Sequence, residues 1–171
     1  MDFQAGYRHI DTAEEQVGAA IRASNVPRFE IFVTTKVRNP DQGYGNTLRA
    51  FQTSLEKLGL EYIDLYLIHA PVKATRAETW RALEKLKEDG KVRAIDIHHL
   101  VELQKYATIL PEINQLEITP YLQRREVVKY CQENNIVVEA YSPLTQGHKL
   151  KDPPLPAIAQ SLNKSPAQVL I

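Results

Sequence analysis

One cysteine, one methionine and one tryptophan occur among the 171 residues. A single cysteine excludes an internal disulfide framework and fits a reducing compartment. Acidic and basic side chains are equal in number, 21 of each, so the formal net charge is zero. Without a basic excess, neither nucleic acid nor a membrane surface is an expected partner. The longest apolar runs are of strand length, and no basic leader with an apolar core opens the chain. These absences predict a cytoplasmic protein. No Gly-x-Gly-x-x-Gly follows any apolar run, so the usual dinucleotide-binding fingerprint is missing.

What is present is an alternation of short β-rich runs and amphipathic segments, without a low-complexity linker. The chain is long enough for one compact domain spanning residues 1–171. Strands are predicted at Tyr7–Thr12, Ile31–Val37, Ile63–His69, Val92–Ile95, Ile113–Ile118 and Ile136–Tyr141. They are near-continuous apolar runs, the pattern of strands covered on both faces. Helical spacing places Leu48, Phe51, Leu55 and Leu58 on one face. Trp80, Leu83 and Leu86 share another, and Leu100, Leu103, Ala107 and Leu110 a third. Trp80 and Cys131 read as core residues, and the charged run Glu84–Lys91 as the solvated face of a helix. Gly59, Gly90 and Asn135 stand where a left-handed residue would stop a helix. After the Pro-rich stretch Lys151–Pro156 comes a last helix, Leu155–Asn163, and a further helical start at Ser165.

Repeated strand–helix units wind right-handed into a parallel sheet, either doubly wound or part of a (β/α)₈ barrel. In both, the C-terminal ends of the strands converge on one mouth. Three consecutive strands here end in ionisable residues of different kinds: Asp11 in HIDT, Lys36 in VTTK and His69 in LYLIH. A lysine beside an aspartate keeps both charged, and the pair can depress the pKa of a third group nearby. Each residue also has a plainer reading. Asp11 could cap the following helix, Lys36 could be an exposed strand end, and His69 could be a satisfied core histidine. Their equivalent positions on successive strands make the functional reading the more specific one. His98 and His99 are adjacent, so on a helix their side chains diverge by about 100°. They read as helix surface rather than as metal ligands, and no metal is expected.

The sequence resembles the aldo-keto reductase family over essentially its whole length. The resemblance rests on GYRHIDTA, EIFVTTKV, SLEKLGLEYIDLYLIHAPV, WRALEKLKEDGKVRAI, INQLEITPYLQ, IVVEAYSPLTQG and SPAQVLI, in family order. It implies a (β/α)₈ barrel and NAD(P)H-dependent reduction of a small aldehyde or ketone to an alcohol. By motif, Asp11, Lys36 and His69 correspond to three members of the family's catalytic tetrad. Gln115 corresponds to the residue holding the nicotinamide carboxamide, and Tyr141 to the one stacking on the ring. Ser142 and Leu144 fall in the pyrophosphate-binding stretch.

The sequence also departs from the family pattern. The fourth tetrad member, a tyrosine, follows Asp-Thr-Ala in the family, whereas here Glu14 and Glu15 follow at once. About five residues are missing. Tyr7, upstream on the strand, and Tyr44, in the next loop, are not matched replacements. A similar cut removes the Gly-Val-Ser-Asn-Phe-like turn, so that Ile95 runs into Asp96-Ile97-His98-His99-Leu100. The first and eighth barrel strands and the segment that grips the 2′-phosphate of NADP are also expected to be missing. The prediction is therefore an incomplete barrel of about six of eight parallel strands. NADP(H) would bind more weakly, and activity is reduced by loss of the general acid. The competing expectation is an inactive relative, a product of an unusual transcript or gene model or an interaction subunit that associates through open sheet edges.

Overall fold

A computed structural model describes residues 3, 6–11, 14–96 and 100–171. Strands and helices alternate as β1 (His9–Asp11), α1 (Glu14–Ala23), β2 (Phe32–Val37), α2 (Tyr44–Leu58), β3 (Ile63–Ile68) and α3 (Arg76–Glu88). They continue as β4 (Val92–Asp96), α4 (Leu100–Leu103), β5 (Ile113–Glu117), α5 (Arg125–Glu133), β6 (Val137–Tyr141), α6 (Leu155–Ser161) and α7 (Pro166–Leu170). All six predicted strands are present. Thr12, His98 and His99 lie outside the described residues.

The chain divides into two compact units, residues 1–113 and 114–171. In the first, β1-β2-β3-β4 form a parallel sheet in sequence order. Parallel register puts partners on the same face, and side chains alternate along each strand. One face therefore carries Phe32, Leu65, Leu67 and Ala94, which pack together with Ile113. The other carries Val33, Thr35, Tyr66 and Ile95 and receives the helices, with Phe51 edge-on to Tyr66 at 5.1 Å. β2 and β3 are covered on both sides, as their apolar runs predict. Helices α1 and α2 meet at Gly18, where a Cβ would lie 2.3 Å from the Leu58 carbonyl oxygen. Only a residue without a side chain permits that approach.

Gly59 and Gly90 have φ of 65° and 68° and terminate α2 and α3 as expected. Trp80 and Cys131 are fully buried. Two expectations about the helices are corrected. Glu84 is buried, not solvated: its Oε1 accepts from Trp80 Nε1 at 3.0 Å, Thr108 N at 2.6 Å, Thr108 Oγ1 at 3.0 Å and Ile109 N at 2.8 Å. The same bonds explain why α4 stops at Leu103 instead of running to Leu110. A buried carboxylate captures the amides of residues 108 and 109, which a continued helix would need for its own carbonyls. Leu110 is consequently exposed.

In the second unit, β5 and β6 form a two-stranded sheet. Strand β6 is half-buried to exposed, unlike the doubly covered strand its sequence predicts and unlike its partner β5, whose three central residues are buried. Asn135 is left-handed after α5, with φ of 57°. Ser165 caps α7 in a reciprocal arrangement with Gln168, confirming the helical start expected there. Among the described residues no helix is long and apolar enough to cross a membrane.

Candidate active site

Asp11 is the last residue of β1, Lys36 is the penultimate residue of β2, and His69 follows β3 directly. The sheet register steps these three ends two residues apart on successive strands, with Asp11 opposite Thr34 and Lys36 opposite Leu67, and all three side chains line one cavity of about 540 Å³. Lys36 Nζ donates to Asp11 Oδ2 in an ion pair at the rim. His69 is exposed there, so it is not the satisfied core histidine of the plainer reading. Its main-chain N–H donates to Val37 O at 3.2 Å, which makes it the last rung between β2 and β3. Thr35 and Ser54 both donate to Glu14 Oε1, tying the start of α1 to β2 and α2 beside the same cavity.

The cavity wall also contains a phenol that motif matching alone overlooks. Tyr66 lies within LYLIH, is fully buried, and its hydroxyl has no hydrogen-bond partner among the described residues. It pairs in register with Thr35, whereas Lys36 pairs with Leu67, so the tyrosine rises from the helix-covered face and Lys36 from the other. Burial, with the negative charges of Glu14 and Asp41 added, pushes the Tyr66 phenol far above the ordinary tyrosine range. A general acid needs the opposite shift. Tyr66 is therefore not a substitute for a proton donor beside Lys36. Tyr7 is exposed, and Tyr44 opens α2 rather than lying in the preceding loop.

The second unit carries the other four predicted residues. Gln115, buried on β5, donates from Nε2 to Glu139 Oε1 of β6 at 3.1 Å. Tyr141 ends β6 with its ring exposed. Ser142 has φ of 53°, and Thr145, Gln146 and Gly147 are also left-handed. Leu144 O accepts from Gly147 N at 2.8 Å in the resulting tight turn. Non-glycine residues in this region each cost about 1–2 kcal/mol and recur at ligand-binding turns. Among the described residues no group of three or more His, Cys, Asp or Glu side chains is placed to hold a metal ion.

Residues 1–169 match the Aldo/keto reductase family model. The chain belongs to the aldo/keto reductase family. It is 54% identical to a 9,11-endoperoxide prostaglandin H2 reductase of Trypanosoma cruzi, covering 98% of this chain and 64% of that protein. Identity is 52% to a glyoxal reductase of Bacillus subtilis, covering 97% and 64%. The first of these alignments extends over 181 positions against 171 residues here, so the relative carries residues inside the matched region that this chain lacks. The chain thus spans about 64% of the length of these curated relatives. Among solved aldo/keto reductases, one from Brucella melitensis superposes with a TM-score of 0.91 at 47% identity, covering 98% of this chain and 69% of that one. A Bombyx mori aldo-keto reductase in complex with NADP gives 0.86 at 37%, covering 98% and 66%. The fold is accordingly that of a family (β/α)₈ barrel, represented by six strands among the described residues.

Proposed function

We propose that this chain is an NADP(H)-dependent oxidoreductase that reduces a small aldehyde or ketone to an alcohol slowly. The observation carrying this reading is the convergence of Asp11, Lys36 and His69 on one cavity, with Lys36 and Asp11 paired. Asp11 holds Lys36 oriented, while the Lys36 ammonium and the His69 ring offer donors to a carbonyl oxygen and favour the negative charge that develops on it. When bound, NADP(H) supplies the hydride for the carbonyl carbon. Gln115 would hold the nicotinamide amide, Tyr141 would stack on the ring, and Ser142 and Leu144 would border the pyrophosphate. Both units serve one domain in this reading, in keeping with a family match that extends across them. A single, buried cysteine suits the reducing conditions of the cytoplasm.

The proton that completes the alcohol has no phenol donor matched to Lys36 among the described residues, which leaves His69 or water to supply it. Loss of a general acid slows a reaction by roughly 10²–10⁴. With NADPH and glyoxal or 4-nitrobenzaldehyde, the expected result is slow NADPH oxidation, reduced by about that factor relative to a longer family member. It should disappear in Lys36→Met.

The missing donor also favours a second reading, an inactive relative that associates through open sheet edges, those of the strands bearing Asp11 and Tyr141. Folded chain that gives no turnover above the buffer rate, yet co-elutes with an active family member on size exclusion, would replace the first reading with the second.

A further inference from the structure

The His69 ring forms no hydrogen bond or ion pair among the described residues, so its position is set by its backbone. Main-chain pairing between β2 and β3 ends at His69. On one side the chain turns away after Arg38 into a helical turn at Asn39–Asp41. On the other, Pro71 has no N–H to offer. The ladder nevertheless continues through a side chain. Gln42 Nε2 donates to Ala70 O at 2.8 Å, and Val72 N donates to Gln42 Oε1 at 2.8 Å. A carboxamide has the donor and acceptor of a peptide group, so it grips the carbonyl before and the amide after Pro71 as a neighbouring strand would.

Gln42 is itself immobilised. It is buried, its carbonyl accepts from Asn46 Nδ2 at 3.2 Å, and the next amide, Gly43 N, donates to the fully buried Thr79 Oγ1 at 2.8 Å. That amide is aimed by a backbone φ of 104° at Gly43, a value that side-chain-bearing residues rarely adopt. The loop after Lys36 and the segment after His69 are thereby joined to each other and to α3.

We propose that Gln42 is a positioning residue for His69, holding the segment Ala70–Val72 so that the imidazole stays over the cavity that Lys36 and Asp11 share. Its meaning for catalysis rests on the reductase reading above, but the clamp itself can be tested without turnover. Gln42→Met keeps the length and removes both polar contacts. Gln42→Glu keeps an acceptor for Val72 N–H but sets a second oxygen against the Ala70 carbonyl. Amide exchange followed by NMR should show Val72 protection falling by about tenfold or more in Gln42→Met and by less in Gln42→Glu. The His69 imidazole resonance, assigned through His69→Gln, should shift while those of His9 and His148 stay in place. In an active preparation, kcat should fall about tenfold with KM for NADPH unchanged. Unchanged Val72 exchange and an unmoved His69 resonance in a folded variant would overturn the proposal, as would a uniform shift of every histidine. If Gln42→Met does not fold, Gln42→Glu gives the same decision. Absence of turnover in the parent chain would sink the reductase reading and leave the clamp to be decided by NMR.

Discussion

Tyr66 illustrates how a residue in an expected motif can take a different role from its neighbours. LYLIH supplies His69 to the cavity rim from the end of β3, but Tyr66 reaches the cavity wall from the helix-covered face. Its buried hydroxyl, unpartnered among the described residues, carries an unmet desolvation cost of about 1–3 kcal/mol. Tyr66→Phe is therefore expected to melt at the same or a higher temperature than the parent, with NADPH oxidation unchanged. A tenfold loss of turnover would instead identify Tyr66 as the proton donor. The raised pKa has a sign that can be read separately. The native state holds the phenolic proton more tightly than the unfolded chain, so this contribution is complete below the ordinary tyrosine value of about 10 and is lost as pH rises above it. Urea midpoints taken on either side of that value should fall more steeply for the parent than for Tyr66→Phe. At this scale, Asp11, Lys36 and His69 were legible because strand-end position is a local property. The cavity role of Tyr66 was not, because it depends on how α2 covers the sheet.

Among the elements, α3 and the segment that follows α4 are joined by the buried Glu84. One carboxylate oxygen satisfies an indole N–H, two main-chain amides and a threonine hydroxyl. Hydrogen bonds to a charged group contribute about 1.5–3 kcal/mol each, and an abandoned buried donor costs a similar amount. Glu84→Ala should lower the stability of the chain by about 3 kcal/mol or more, measured by urea unfolding, whereas Lys85→Ala on the exposed side of α3 should change it little. An equal effect from the two substitutions would show that Glu84 is not the junction. Charge patterning placed the whole run Glu84–Lys91 in solvent, which holds for Lys85 but fails at Glu84. Helix stops were read correctly at Gly59, Gly90 and Asn135, since a left-handed residue there is a requirement of the turn itself. The extent of α4 was misread because its last turn competes with a carboxylate from another helix.

For the whole molecule, equal numbers of acidic and basic residues leave no long-range field to attract a polyanion. The chain should pass unretained through a heparin column at physiological salt, and retention there would revive a nucleic-acid or anionic-surface partner. The order of strands and the three ionisable tips follow from residue types and short-range periodicity, and the family follows from motifs contiguous in the chain. These the sequence determined by itself. Tertiary structure alone decided that Glu84 is buried, that α4 is short, that Tyr66 faces the cavity and that Gln42 extends the ladder. The bonds responsible connect residues 24 and 30 positions apart, Glu84 to Thr108 and Gln42 to Val72. Periodicity ranges over a few residues, while such partners meet only once the register of β2, β3 and β4 has brought their loops together.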